Sequence, residues 1–306
     1  MHIEQLPKPT HGTLAWQQLR HRNEQDNCVV GASEVATVMG CNDYESIADI
    51  AIRKLLPPQT TETNEAMMRG NILEPALLQY AQNMLDTPIM TPEVMYRNGQ
   101  IIATLDGRGV EQADLIVEVK TNNHWALGNP LPLQWQWQAQ AQMYCTDTEA
   151  VHFAVLDKNM RLGMDLVQRN DDMIEQMLLH VANFCAAIDT QCLPSDVVLT
   201  APQIAQLHPV AVGEVELHST ALSLLSEWGA IKDAQKDLDA KEQQCKDALA
   251  NMLMDNEYGS VNGQRVLSYK TQSTKRFDSK ALLADSPELA EKYTTTSTFR
   301  VLRAIK

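Results

Sequence analysis

Several features that would assign the chain to a class at once are missing from the sequence. None of its apolar runs approaches the roughly 20 residues that a helix needs to cross a bilayer, which argues against a membrane-spanning segment. The first 12 residues, MHIEQLPKPTHG, lack the basic and apolar regions of a signal peptide. The six cysteines are scattered and form no CxxC pair, which argues against a zinc site or an iron–sulfur cluster and favours a reducing cytoplasm.

The balance of charge changes along the chain. Overall there are 25 Lys and Arg against 39 Asp and Glu, a net charge of −14. Residues 1–200 hold 12 basic and 25 acidic side chains (net −13), whereas residues 265–306 hold 9 basic and 4 acidic ones (net +5). An acidic surface repels nucleic acid at long range, but an acidic cluster that binds a divalent metal reverses its local sign. Charge therefore neither supports nor excludes a DNA substrate.

The chain of 306 residues is long enough for one or two domains, and its patterns change near residue 194. We predict a mixed α/β domain over residues 1–194, in which helical and strand-like patterns alternate. The predicted helices cover residues 31–40 (with Ser33 as a candidate N-cap), 45–56, 64–84, 133–144 and 172–188. The predicted strands cover residues 99–107, 113–120, 150–157 and 163–169, and the first two are expected to form a hairpin.

The remaining residues, 195–306, are predicted to form an extension of a different character. Apolar residues recur near heptad positions over residues 222–254, but Gln235 and Glu242 interrupt the apolar stripe. We therefore expect a helical hairpin or arm at about residues 214–255 rather than a long coiled coil. A β-hairpin that turns at Asn262 and Gly263 should follow, and then a basic tail.

One hairpin carries the side chains best suited to chemistry. Asp106 ends the first of the two strands and Glu118 and Lys120 lie on the second, where alternate residues share a face. Two carboxylates a few ångströms apart repel each other, and a divalent cation is the usual remedy. A lysine beside them could orient an attacking water. This spacing suits metal-dependent phosphodiester hydrolysis, although the same three residues also fit a solvated surface hairpin; the apolar flanks of LIVEV favour a buried central strand.

The segment QWQWQAQAQMY, residues 134–144, can be interpreted as a strand or as a helix. Its glutamines and alanines favour a helix, and Pro132 suits a first helical turn. In a helix, residues four apart stack, so Gln136, Gln140 and Tyr144 form one stripe. We expect Gln140 and Tyr144 on the inner face; the alternative is a polar helix edge that faces solvent.

Six motifs occur in an order that resembles one family. They are W-x3-R (Trp16, Arg20), GASE-x-A (31–36), N-x-A-M-x-R-G-x3-E-P (64–75), LDG (105–107), VEVK (117–120) and Q-x3-Y (Gln140, Tyr144). Together they resemble the YqaJ-type viral recombinases, relatives of phage lambda exonuclease in the PD-(D/E)XK nuclease superfamily. The resemblance covers about residues 14–190, and it implies a central mixed sheet flanked by helices.

The resemblance also implies roles for the residues of the predicted catalytic centre. Asp106 and Glu118 would bind the metal ions, together with the backbone carbonyl of Val119, and Glu74 would complete the acidic cluster. Lys120 would position the nucleophilic water. Gln140 would contact that water or the substrate phosphate, with Tyr144 supporting it.

A second group of residues corresponds to the part of the family that holds DNA. Arg20 and Ser33 match positions that hold the 5′-terminal phosphate in lambda-type exonucleases; the structural alternatives are a surface ion pair for Arg20 and a helix cap for Ser33. The segment HRNEQDNCVV is longer than in the family, so Arg22 is a substitute for Arg20. His124 and Trp125 follow the VEVK motif and could touch DNA, or Trp125 could be packed in the core.

The function implied by the resemblance is 5′ to 3′ exonuclease action on double-stranded DNA with two Mg²⁺ ions, for which Mn²⁺ could substitute. The product would be a 3′ single-stranded tail for an annealing recombinase, in the cytoplasm of a bacterial or phage-infected cell. By analogy with the lambda relative we expect a homo-oligomer, a trimer. Two alternatives stay open: an endonuclease or an exonuclease of other polarity on the same core, and an inactive DNA-binding scaffold whose helical arm recruits a recombinase.

Overall fold

The chain forms two units in a computed structural model that describes residues 3–60, 64–195, 197–297 and 299–305. The first unit spans residues 1–207 and the second residues 208–306. The division thus falls later than the predicted boundary at residue 194. A short helix at Ala201–Leu207 belongs to the first unit, where the amide of Gln203 donates a hydrogen bond to Asp49 (2.6 Å).

The first unit is a mixture of helices and strands that follow one another along the chain. Its helices are α1 (Leu14–His21), α2 (Ala32–Val38), α3 (Ile47–Leu55), α4 (Glu65–Leu85), α5 (Leu133–Thr146), α6 (Asp171–Asp189) and α7 (Ala201–Leu207). Its strands are β1 (Glu4–Pro7), β2 (Val30–Gly31), β3 (Ile89–Met90), β4 (Val94–Asn98), β5 (Ile101–Ala103), β6 (Gly107–Gly109), β7 (Ile116–Thr121), β8 (Ala150–Leu156) and β9 (Leu162–Gln168). The mixed α/β class is confirmed, and the five predicted helices lie within a few residues of their expected positions.

Two mixed sheets organise this unit. The smaller has the order β1-β4-β5-β2, with β2 parallel to β5 and the other neighbours antiparallel. The larger has the order β3-β6-β7-β8-β9, in which only the central pair, β7 and β8, is parallel. Strand β7 is therefore an interior strand with a neighbour on each side.

The predicted hairpin between residues 99–107 and 113–120 is wrong in its first strand. Gly99, with φ of +60°, forms a tight turn from β4 into β5, and this turn commits β5 to the smaller sheet. The chain then crosses to the larger sheet through Leu105 and Asp106, and the strand that pairs with β7 is β6. Asp106 consequently lies just before β6 rather than at the end of a strand.

Helices cover both faces of β7, and this position shapes the site. On one face Ile116 packs into the main apolar core, to which α5 contributes Trp135 and Ala139. On the other face Val117 packs against Leu77 and Ala81 of α4. Because both faces are covered, polar side chains on β7 are enclosed and need partners from these helices.

The second unit contains one long helix, α8 (Thr220–Leu253), the strands β10 (Tyr258–Val261) and β11 (Gln264–Ser268), and the short helices α9 (Ser279–Asp285) and α10 (Pro287–Lys292). The helical arm is thus a single helix and not a helical hairpin. The predicted β-hairpin is confirmed: Asn262 (φ 51°) and Gly263 (φ 80°) both have the positive φ that a type I′ turn requires. Across the described parts of the chain, no helix is long and apolar enough to cross a membrane.

Candidate active site

Glu118 and Lys120 lie on the same face of β7, as strand alternation predicts. Glu118 is buried, and the ammonium of Lys120 donates to its Oε1 over 2.8 Å. Two glutamines of α5 complete this arrangement. Gln138 donates to Glu118 Oε1 (2.5 Å) and accepts from Lys120 (2.8 Å), while Gln142 donates to Glu118 Oε2 (2.6 Å).

Asp106 joins the cluster from the neighbouring side of β7. Its Oδ2 accepts the backbone N–H of Val119 over 2.8 Å. Since the N–H and C=O of one strand residue point to the same side, the Val119 carbonyl faces this edge as well. Burial raises the pKa of Asp106 well above its ordinary value, and the charges of Glu118 and Glu74 raise it further.

Glu74 approaches the cluster from α4, where it is half-buried and followed by Pro75 inside the helix. Burial raises the pKa of Glu74, and the charge of Glu118 adds to the effect while Lys8 opposes it. Neighbouring carboxylates thus disfavour the ionised forms of Asp106 and Glu74, and a divalent cation would relieve this effect.

The chemistry of this donor set fits a hard divalent metal, with carboxylate oxygens and one carbonyl. A further acceptor is at hand, since Gln142 Oε1 is buried without a hydrogen-bond partner among the described residues. In the same part of the chain, however, no three His, Cys, Asp or Glu side chains converge closely enough to hold an ion as they stand. Binding would require the carboxylates to draw closer together than they are here.

The prediction that Gln140 enters this cluster is wrong. Its amide donates to the carbonyl of Gln168 (2.9 Å) and accepts the backbone N–H of Asn170 (2.9 Å), so it ties α5 to the β9–α6 connection. Tyr144 on the same stripe also lies elsewhere, beside the turn at Gly99. The stripe that faces β7 is the neighbouring one, which contains Gln138 and Gln142.

Arg20 and Ser33 come together as the motifs predict. The Arg20 guanidinium donates to Ser33 Oγ over 3.0 Å and lies 4.3 Å from the ring centre of Trp16. It packs so closely on Gly31 that a Cβ there would lie 2.3 Å from Nη2, which explains the glycine. The helix α2 begins with Gly31 as its N-cap, so Ser33 is not the cap and its exposed hydroxyl remains available.

A buried charge network lies behind Ser33. Glu34 contacts Arg20 (3.5 Å), Arg53 (3.0 Å) and Lys54 (2.9 Å). Burial opposes the charge of Glu34, but Lys54, Arg20 and Arg53 outweigh it and hold the pKa of this carboxyl well below its usual range. Arg53 also pairs with Glu45. Three cations against two carboxylates leave this region with a net charge of +1 in an otherwise acidic unit.

Arg22 and Trp125 both have partners within the protein, and for Trp125 this is the alternative of packing in the core. The guanidinium of Arg22 pairs with Asp189 at 2.5 Å and donates to the carbonyl of Lys54, which makes it a structural link between distant segments. Trp125 is buried, with its ring 5.5 Å from that of Trp135 and its indole N–H donating to the Pro130 carbonyl. Neither side chain is free to meet DNA in this arrangement.

One cavity of about 480 Å³ connects the two groups of residues. Ser33 borders it on one side and Lys120 and Gln138 on the other, while Arg20 lies behind Ser33. Its wall also includes residues to which the sequence analysis gave no role, namely Tyr44, Arg69, Asn122 and Gln134, besides His124. The exposed side chain of Arg69 adds a cation to this wall.

The mixed sheet between helices, with Asp106 beside a strand that carries Glu118 and Lys120, agrees with the arrangement that the resemblance implied. Residues 15–149, a little under half of the chain, match the family model of the YqaJ-like viral recombinase domain. The matched span contains Arg20, Ser33 and Glu74. It also contains the cluster around β7, which consists of Asp106, Glu118, Lys120, Gln138 and Gln142. The resemblance inferred from the motifs is thereby confirmed.

The solved structures that resemble the chain include two exonucleases. The alkaline exonuclease LHK-Exo of Laribacter hongkongensis is 24% identical, with a TM-score of 0.48 over 58% of this chain and 94% of that one. A phage-related exonuclease from Haemophilus somnus 129PT is 14% identical, with a TM-score of 0.44 over 54% and 95% of the two chains. No curated protein matches the chain.

Proposed function

We propose that the chain is a metal-dependent DNA exonuclease that degrades one strand of duplex DNA from its 5′ end and leaves a 3′ single-stranded tail. One observation carries the proposal: a single cavity is lined by Ser33 and by Lys120 and Gln138. A terminal phosphate at Ser33 would place the next phosphodiester bond of the same strand towards the acidic cluster. Cleavage would then start from the end that bears the phosphate.

The phosphate would be held by the Ser33 hydroxyl, which can donate to one of its oxygens. Arg20 would support it from behind, since its guanidinium is already bonded to Ser33 Oγ. Arg69 on the cavity wall offers an exposed cation to the phosphates that follow.

The chemistry requires a divalent metal, which Asp106, Glu118, Glu74 and the Val119 carbonyl would hold; the resemblance implies two Mg²⁺ ions, with Mn²⁺ as a substitute. When bound, the metal supplies a Lewis acid and lowers the pKa of water. Lys120, which donates to Glu118 and Gln138, would donate a hydrogen bond to an attacking water. Gln138 would hold the Lys120 ammonium and the Glu118 carboxylate in fixed positions relative to each other.

The same proposal includes a partner, a cellular location and an oligomeric state for the enzyme. The 3′ tail suits a single-strand annealing recombinase in the cytoplasm of a bacterial or phage-infected cell. A homo-oligomer, a trimer by analogy, would keep the enzyme on its substrate.

Linear duplexes labelled at either end, with a 5′ phosphate or a 5′ hydroxyl, test the direction of cleavage. We expect Mg²⁺-dependent release from the phosphorylated 5′ end. Because a hydrogen bond to a charged group contributes about 1.5–3 kcal/mol, Arg20→Gln and Ser33→Ala should reduce the preference for phosphate roughly 10- to 100-fold. Arg22→Gln is the matched control and should keep the preference, since Arg22 is paired with Asp189.

Other results would replace the proposal. Cleavage of circular duplex would indicate an endonuclease, and release from the 3′ end would reverse the polarity. Binding of DNA without cleavage in Mg²⁺ or Mn²⁺ would favour a scaffold.

A further inference from the structure

The helix α8 exposes a row of apolar side chains at every seventh residue. This row is uninterrupted, unlike the neighbouring row that contains Gln235 and Glu242. The helix has 34 residues, and at about 1.5 Å per residue it is roughly 51 Å long. Five apolar side chains recur at every seventh position and all are exposed: Leu224, Ile231, Leu238, Cys245 and Met252. The structure describes all of α8, and only Leu253 is buried there. A seven-residue repeat of this kind is the d position of a coiled coil.

The corresponding a positions are Ala221, Trp228, Gln235, Glu242 and Leu249. In a parallel pair of helices each a residue would face its own copy, and Glu242 would meet Glu242 with like charges. In an antiparallel pair each a residue faces a d residue, so that Glu242 would lie beside Ile231 of the second copy and Gln235 beside Leu238. The charge of Glu242 is balanced on its own helix by Lys246, at 2.6 Å.

The residues that flank the stripe favour the same direction. In the antiparallel register Lys232 lies opposite Asp239 of the second copy, and symmetry forms this pair twice. The other flanking positions then bring no two like charges together. A parallel register would bring Glu227 beside Lys232 of the second copy but also Lys241 beside Lys246, and the second contact joins like charges. The charges on α8 thus complement those of a second α8 in the antiparallel direction. They therefore identify a second copy of this chain as the partner that covers the exposed apolar row.

We propose that α8 is a self-association arm, which pairs along its length with α8 of a second copy in an antiparallel two-stranded coiled coil. The apolar d residues would be covered by this contact, with Leu238 and Gln235 at its centre. The proposal does not depend on the nuclease activity, because every residue that carries it lies in the second unit.

Sedimentation equilibrium of the full chain, whose mass is 34.2 kDa, tests the contact. Leu238→Glu should weaken assembly at least tenfold and halve the mass of the particle. Ala240→Glu is the matched control: it adds the same charge two residues away on the outer face and should leave the mass unchanged. Far-UV circular dichroism verifies that both variants keep the helix. If the two variants assemble equally well, the proposal is overturned, whatever assembly the first unit makes.

A charge exchange tests the direction. Lys232→Asp should weaken assembly several-fold, and adding Asp239→Lys in the same chain should restore it. Residues seven apart on one helix do not contact each other, so this rescue reports the contact between copies. Rescue by Glu227→Lys in place of Asp239→Lys would indicate a parallel pair and overturn the antiparallel arrangement, as would the absence of any rescue.

Discussion

The two units of the chain differ in what they do with their apolar and charged side chains. The first buries three apolar clusters and encloses charges such as Glu34, Lys54 and Glu118 among them. The second buries little more than Leu253, which packs beneath Gly259, and exposes the apolar stripe of α8. Their net charges also differ: 12 basic against 25 acidic residues give −13 in the first, and 13 against 14 give −1 in the second.

This difference separates two physical strategies. Burial in the first unit fixes charged groups at set distances, which a reaction centre needs, and each group then depends on its partners. Exposure in the second unit leaves a long apolar surface on α8 that is available for association. Chemistry should therefore be sensitive to single changes in the first unit, and assembly to changes in α8.

The largest effect is expected for Glu34→Gln, which leaves Lys54 buried beside a neutral amide. Breaking a buried ion pair in this way costs about 3–5 kcal/mol. Chemical denaturation should show this loss in the free energy of unfolding of the first unit. Glu24→Gln, at an exposed position, should leave that free energy unchanged.

The same variant makes a prediction about pH. The folded pKa of Glu34 is depressed, so its contribution is present above the ordinary glutamate pKa of about 4.3 and disappears as pH falls through the folded value. The difference between wild type and Glu34→Gln should thus be largest near neutral pH and shrink in acid. An equal difference at all pH values would contradict the assignment.

A comparison of two glutamines on α5 should separate chemistry from packing. Gln138→Ala removes a partner of both Glu118 and Lys120, and losses at such supporting positions are roughly 10- to 100-fold in activity. Gln140→Ala leaves the Asn170 N–H without its acceptor and should cost roughly 1–3 kcal/mol of stability instead. Cleavage rates at saturating DNA and melting curves of both variants would distinguish the two roles.

A smaller effect is expected from Asp106→Asn in metal-free protein. Asparagine can still accept the Val119 N–H, but it carries no charge to repel Glu118 and Glu74. A carboxyl with a raised folded pKa loses its stabilising contribution as pH rises through that value, so the variant should melt higher than wild type at neutral and alkaline pH. Each 1 kcal/mol of relief raises Tm by roughly 2–4 °C in a unit of this size.

Differential scanning fluorimetry in EDTA and then in Mg²⁺ measures this effect. Mg²⁺ should raise the Tm of wild type and not that of Asp106→Asn, while the exposed Asp114→Asn should behave as wild type. If Mg²⁺ raises the Tm of Asp106→Asn as much as that of wild type, Asp106 is not a ligand of the metal.

The smallest effect is local to the second unit. Gly263 has φ of +80°, so Gly263→Ala should strain the β10–β11 turn by roughly 1–2 kcal/mol. Hydrogen exchange should rise in this hairpin and remain unchanged in the first unit, with Ser260→Ala as the control. A change in the first unit would mean that the two units are not independent.

Local patterns in the sequence predict much of this structure. Strand alternation is sufficient to place Glu118 and Lys120 on one face, and Asn262-Gly263 is sufficient for the second hairpin. The failures share a cause, which is that they depend on contacts between segments far apart in sequence. On α5, the stripe that contains Gln140 and the stripe that contains Gln138 have the same spacing in the sequence. Only the rotation of α5 about its axis, set by its packing on β7, determines that Gln138 faces Glu118 and Lys120. Likewise, nothing near Arg22 indicates that Asp189, 167 residues away, is its partner.

Single-turnover cleavage of a 5′-phosphorylated blunt duplex by Lys120→Ala, beside the exposed Lys158→Ala, tests the central claim most directly. Loss of a group that assists proton transfer typically costs about 10²- to 10⁴-fold. We expect a reduction in this range for Lys120→Ala at unchanged DNA affinity, with Lys158→Ala equal to wild type. A folded Lys120→Ala protein that cleaves at the wild-type rate would contradict the assignment of this cluster as the catalytic centre.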